Sequence, residues 1–185
     1  MTMRRRSLIL AGLLLMSAMA HATTLLRMDL DQLTAAAGAV ARVRCIESET
    51  RVEGGEIWTF TRFDVVETLK GTLPAQVTVR LIGGRTGSLV STVEGVPRFQ
   101  PGEEVFLFLE ATRAGDLSVT SWAQGTFRVR RADNAIERVT QDTSGLSIFD
   151  PATRQFRPGG VRNLPVEEFR QRVRDAVERQ GRRQP

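Results

Sequence analysis

Apolar and polar residues alternate along most of this chain, and the places where alternation stops divide it into short elements. In "AVARVRCIES", Ala41, Val43 and Cys45 share one parity and Arg42 and Arg44 the other, the pattern of a half-buried strand. The Gly-Gly signal in "ETRVEGGE" predicts a hairpin into "IWTFTRFDVVETLKG". There Trp58 and Phe60 share one parity and Phe63 and Val65 the other, which predicts a bulge where this second strand reverses its faces. "LKGTLPAQ" turns the chain, "VTVRLI" alternates again as a third strand, and "SLVSTVEG" follows "GGRTG" as a looser one. "FQPGEE" is a Pro-Gly turn into "VFLFLE", where Val105, Leu107 and Leu109 oppose Phe106 and Phe108, so both faces need cover. "LSVTSWAQGTFRVRR" reads as a further strand region with a second bulge at Gly125, and "NAIERVT" as a last hairpin strand.

Two stretches change from a period of two to a helical one. "DLDQLTAAAGA" spaces Leu30 and Leu33 for a short helix, with Asp29 as its cap and Gly38 as its stop. "LPVEEFRQRVRDAVERQ" repeats Val166, Phe169, Val173 and Val177 at helical spacing behind Pro165. Between Gln141 and Asn163 the chain reads as irregular. The predicted fold is mainly β: a small antiparallel OB-like barrel over residues 23–140 with a short N-terminal helix. An irregular segment and an amphipathic C-terminal helix, residues 141–185, dock on it, with one face of "VFLFLE" filling the barrel and the other meeting the helix.

The first 22 residues predict export. Arg4, Arg5 and Arg6 form a positive start, Leu8 to Met16 an apolar run, and Ala20 and Ala22 flank His21 as a signal peptidase site. The run is shorter than the ~20 apolar residues that span a bilayer. "RRRSLI" is similar to a twin-arginine signal, while the leucine-rich run suits general secretion equally well. Cleavage after Ala22 makes Thr23 the first residue of a periplasmic or secreted chain that no longer engages the membrane.

That cleavage changes the picture drawn by composition. The whole chain carries a formal charge of +5, but without Arg4 to Arg6 only 23 basic residues face 21 acidic ones. Nucleic-acid proteins gather a strong basic excess on one face, so nucleic acid is not an expected partner. The single histidine is removed with the leader, no tyrosine is present, and Cys45 is the one cysteine. Ser-His and Cys-His nucleophile pairs are therefore excluded, as are the usual His and Cys zinc sites and any intramolecular disulfide. No cofactor, metal or catalytic residue is expected.

The order of a helix, "GAVARVRCIES", "WTFTRFDVVETLKG" ending in Lys70-Gly71, "VTVRLI" and "FQPGEEVFLFLE" resembles the netrin-like domain over Asp29 to Val129. That family contains the OB-type barrel of the tissue inhibitors of metalloproteinases, so the resemblance implies a barrel. Those inhibitors grip the protease zinc with an N-terminal cysteine that disulfides hold in place. Here Thr23 stands first, and the inhibitory residue does not carry over.

Each remaining candidate has a plain structural reading. Cys45 shares its face with Val43, so a buried and chemically quiet thiol is favoured over a redox role. Glu103-Glu104, Asp64 with Glu67 and Asp29 with Asp31 read as solvated faces or turns, because paired acids need a cleft to act on a glycoside. Lys70 reads as a solvated ammonium in a turn. Trp58, Phe60 and Trp122 could form a stacking platform, but core or helix cover is the favoured fate. "RPGG" lacks the Lys-Ser/Thr of a phosphate loop and reads as a turn. The function expected is an exported, non-catalytic binding or scaffold domain acting on a protein partner. A protease inhibitor with a netrin-like barrel is the alternative, and a carboxylate-only hydrolase comes third.

Overall fold

The structure, a computed structural model, describes residues 25–131, 136–143, 146–157 and 159–182. The export segment and its cleavage point lie outside the described residues. In chain order the elements are β1 (Leu25–Leu26), α1 (Leu30–Ala36), β2 (Ala39–Glu53), β3 (Glu56–Lys70), β4 (Gln76–Ile82), β5 (Gly84–Thr86) and β6 (Leu89–Ser91). They continue with β7 (Glu104–Ala111), β8 (Leu117–Val119), β9 (Thr126–Arg131), β10 (Glu137–Gln141), β11 (Ile148–Asp150), β12 (Gln155–Arg157), β13 (Leu164–Pro165) and α2 (Val166–Gly181). The molecule is mainly β, with two helices against a sheet of closely packed strands.

Helix α1 starts where its cap dictates. The Asp29 carboxylate accepts the Gln32 N–H, and the Gln32 side chain accepts the Asp29 N–H, each at 2.8 Å. This reciprocal pair satisfies two donors that a helix start leaves open. Helix α2 begins immediately after Pro165, whose missing N–H costs no helical bond. Glu167 and Glu168 lie in its first turn and Arg179 in its last, so charges at both ends oppose the helix dipole.

The main sheet pairs in the order β13-β10-β9-β7-β2-β3-β4-β8. Strand β8 also pairs antiparallel with β7, so the pairings of β7, β2, β3, β4 and β8 run in a ring. The one parallel step in that ring, β4 to β8, rests on a single register pair, Val79 with Leu117. The ring encloses Ala41, Val43, Cys45, Phe63, Val79, Val105, Leu107, Leu109 and Val119. On the other side of β7, Phe106 and Phe108 meet Leu33, Phe127, Phe169 and Val173. Both faces of "VFLFLE" are thus covered, the outer one by α2: Phe169 lies 5.0 Å from Phe106 and 4.8 Å from Phe127, ring centre to ring centre. In α2 the buried stripe is Val166, Phe169, Val173 and Ala176, with Val177 only partly covered.

The face reversal expected on β3 between Phe60 and Phe63 does not occur there; β3 is irregular only further on, where Val66 and Leu69 are extra residues against β2. Strand β3 keeps its parity through Thr59, Thr61 and Phe63, all on the ring interior, while Trp58 and Phe60 stay outside. Strand β2 makes the switch: Cys45 faces Phe63 and Glu47 faces Arg62, so Ile46 is the extra residue. Beyond it Ser48 and Thr50 turn inward beside Thr61 and Thr59. Two threonines at interior positions hid this strand's parity in the sequence.

Three further expectations change. Gly125 closes a 3-10 turn, Trp122–Gly125, rather than a bulge, and a Cβ there would collide with the Thr120 carbonyl oxygen. The loose strand shortens to β6, which pairs with β5. The stretch read as irregular contains β11 and β12, and β1 pairs parallel with β11. A short run with few apolar residues gives no periodicity to read.

Candidate functional site

An open groove of about 830 Å³ lies outside the ring, along β3 and β4 and under the β7–β8 hairpin. Its walls include both tryptophans of the chain, Trp58 and Trp122, together with Arg80, Ile82, Thr112 and Ser118. Alternation explains half of this: Trp58, Arg80 and Ile82 share the outward parity, and Trp58 is in register with Ile82. The Arg80 guanidinium carbon stands 4.0 Å from the centre of the Trp58 ring and 5.6 Å from that of Phe60. Arg51 covers Phe60 at 3.9 Å. Arginine thus packs against the faces of both rings.

Trp122 arrives by a different route. Ser121 and Trp122 both take left-handed backbone angles, φ 52° and 49°, a rare conformation for a bulky side chain. The surroundings hold it there. Gln124, 1% exposed, donates to the Ser121 hydroxyl at 2.9 Å and to the Leu26 carbonyl at 2.8 Å, and accepts the Met28 N–H at 2.9 Å. Thr126 donates to the Trp122 carbonyl at 3.0 Å, and Ala123 N–H to Gly95 at 2.9 Å. The N-terminal strand thus helps to set the tryptophan.

Polar atoms in the groove are only partly committed. Arg80 pairs through its terminal nitrogens with Asp116 at 3.0 Å and Glu53 at 3.4 Å. Its Nε and the Thr112 hydroxyl are buried with no hydrogen-bond partner among the described residues. Burying such groups unpaired costs roughly 1–3 kcal/mol each.

The other candidates resolve into structure. Cys45 is 2% exposed; burial pushes its thiol pKa up, against a hydrogen bond with Ser48. Lys70 corrects the expectation of a solvated turn residue. It ends β3, and its ammonium donates to the carbonyls of Thr34 at 2.5 Å and Ala37 at 2.6 Å, capping the C-terminal end of α1. Burial lowers its pKa. Gly71 follows with φ +74°, and a Cβ there would stand 2.6 Å from the Gly38 carbonyl. The "LKG" turn is thus a helix cap followed by a close backbone approach.

The acidic pairs do not converge on a cleft, and most of their carboxylates hold arginines. Glu104 binds Arg42 and Arg44, and Glu103 binds Arg128. Glu67 takes Arg170 at 2.7 Å, and Asp31 takes Arg179 at 2.6 Å. Asp64 accepts from Gln76 at 2.8 Å, while Asp29 caps α1. Of "RPGG", Pro158 lies outside the described residues; the Gly159 carbonyl accepts from Thr143, and Gly160 has φ +126°. Among the described residues no three His, Cys, Asp or Glu side chains stand close enough to hold a metal ion, and no helix is long and apolar enough to cross a membrane.

Sequence reasoning missed Arg80 and Gln124 as parts of this site. Arg80 was legible as the outward residue of "VTVRLI". Nothing marked Gln124, two of whose partners, Met28 and Leu26, lie almost a hundred positions away in the chain. Compared with models of known protein families the sequence matches none, and it matches no curated protein.

Proposed function

We propose that this chain is an exported, non-catalytic domain on an OB-type barrel of the netrin-like kind, and that it binds a protein partner in the Trp58–Trp122 groove. The convergence of both tryptophans and Arg80 on one groove carries the reading. The barrel reading is supported by the ring of five pairings with one parallel step. In OB-type barrels the outer face of the second and third strands and the neighbouring loops take the ligand. Strands β3 and β4 hold those places in the ring. Tryptophan and arginine are also the residue types that concentrate binding energy at protein interfaces.

A protein partner fits this groove better than a nucleic acid. Arg80 is already paired with Asp116 and Glu53, which leaves little net positive charge for phosphates. Export rests on the order of Arg4 to Arg6, the apolar run and Ala20-His21-Ala22. Mass spectrometry of the exported fraction should find a chain beginning at Thr23.

The groove can be tested by its own fluorescence, because both tryptophans line it. A photo-crosslinker at Arg113, on its rim, should capture a partner in the native exported fraction. The captured partner, purified, should shift the emission of the domain, and Trp58→Ala should abolish both effects while the strand circular dichroism stays unchanged. Capture that survives Trp58→Ala sinks the reading. A captured protease that loses activity at equal molar ratio would establish the inhibitor reading in its place.

A further inference from the structure

We infer a second binding site, independent of the groove, for a hydroxylated carboxylate of monosaccharide size such as a uronic acid. At one end of the ring the interior turns from aliphatic to polar. A cavity of about 230 Å³ lies there, lined by Ser48, Thr50, Thr59 and Thr61 on one side and by Val96, Pro97 and Phe99 on the other. Arg85 and Arg98 complete its lining. It is smaller than the roughly 300–1,000 Å³ of pockets for drug-sized ligands, which suits a single sugar ring.

The bulge at Ile46 creates this site, since only after it do Ser48 and Thr50 turn inward. The hydroxyls form a ladder across β2 and β3: Ser48 to Thr61 at 2.9 Å and Thr50 to Thr59 at 3.0 Å. Thr59 donates its one proton to the Gly83 carbonyl at 2.7 Å. In the second rung Thr50 must therefore be the donor. Three of the four hydroxyl protons are spent in these bonds, so the hydroxyl oxygens offer mainly lone pairs, which suit a ligand that brings O–H donors. Gly84 packs so closely on Thr50 and Thr59 that a Cβ would collide with both.

The arginines supply the opposite character. Neither Arg85 nor Arg98 makes an ion pair with a described carboxylate; Arg98 has one long contact, 3.3 Å, to the Ser91 carbonyl. Most arginines near the ring are paired, so two without a carboxylate beside one cavity stand out. Guanidinium groups are matched by a carboxylate. Phe99, held edge-on against Phe63 at 5.1 Å, and Val96 give an apolar wall for the C–H face of a sugar. Acceptors, cationic donors and an apolar wall together select an acid that also carries hydroxyls.

The experiment is an amide NMR titration of the full domain with D-glucuronate, D-glucose and inorganic phosphate in turn. Glucuronate should give saturable shifts at Gly83, Gly84, Arg98 and Phe99. Glucose and phosphate should each bind at least tenfold more weakly. The double variant Arg85→Ala/Arg98→Ala, at exposed positions without ion pairs, should keep the spectrum of the fold and bind glucuronate at least tenfold more weakly. Ser48→Ala should weaken glucuronate while leaving the response to phosphate unchanged. No saturable shift with glucuronate, equal binding of glucose, phosphate binding as tight as glucuronate, or an unaffected double variant would each overturn the inference.

Discussion

The two apolar clusters share strand β7 and are otherwise built by opposite means. Inside the ring, aliphatic side chains from consecutive strands meet with a single aromatic pair, Phe63 and Phe99. Outside it, Phe106, Phe108, Phe127 and Phe169 form a chain of rings with centres 4.8–5.4 Å apart, closed by helices from near both ends of the described chain. The outer cluster also has a charged rim. Arg42, 8% exposed, reaches Glu104 and Glu137, while Arg170 and Arg179 tie α2 to Glu67 on β3 and Asp31 on α1. Paired strands supply most of the first cluster, with Phe99 added from a loop; the second needs helices to dock on the sheet and opposite charges to remain ionised. The ring should therefore be indifferent to pH where the helical layer is not.

The largest effect should come from the outer cluster. Phe169→Ala leaves a cavity under Phe106 and Phe127 and should cost about 3–5 kcal/mol in urea unfolding. Hydrogen exchange sharpens the comparison: amides of α2 should open well before those of β2 and β3. If the ring loses protection equally, the two clusters are one cooperative unit.

Removing the central charge comes next. Arg42→Met leaves Glu104 and Glu137 without their shared partner and should cost about 1.5–3 kcal/mol, measured by the same unfolding. The pH dependence follows from the same residues. Burial alone would raise the Glu104 carboxyl, but hydrogen bonds from Arg44 and Arg42 outweigh it and hold its pKa below the usual value. The hydrogen bond from Arg42 lowers that of Glu137 likewise. Both carboxyls are more acidic folded than unfolded, so their contribution is complete above the ordinary glutamate pKa of about 4.3. It is lost as pH falls from there through the lower folded values. Unfolding midpoints should drop over that range in the native chain and drop less in Arg42→Met; parallel curves would break the assignment.

A smaller effect belongs to the end of α1. Lys70→Met keeps the apolar stem and removes the cap on the Thr34 and Ala37 carbonyls, which should cost about 1 kcal/mol, read from thermal unfolding. The smallest is a rate. Cys45 inside the ring should react with a thiol reagent only as fast as the domain unfolds, whereas labelling of the folded protein at a free-thiol rate would show that the ring opens locally.

Local physics made much of this legible in advance. Asp29 and Gln32 place the start of α1 because their side chains bond within the same turn. The double parity of Val105 to Leu109 required cover on both faces, and the Phe169 stripe of α2 was its only large apolar complement. The position of the bulge was not legible, because Thr59 and Thr61 are polar residues at interior positions and their alternation with Trp58 and Phe60 reads as the reverse. A platform of Trp58, Phe60 and Trp122 was visible as a candidate but ranked below core or helix cover, and the structure instead brings the two tryptophans to one groove. Trp122 depends on a strained turn that Gln124 and the β1 segment hold from far away in sequence.

The sequence by itself determined which residues turn away from water in β4, β7 and the two helices, and where the helices begin. Those choices are made by periodicity, caps and turn chemistry within a few residues. Only the tertiary structure decided that the bulge falls at Ile46, that Lys70 caps a helix it is not part of, and that β1 pairs with β11. Each of these is a contact between segments far apart in the chain, selected by the summed register and packing of the whole, and no local window carries that sum.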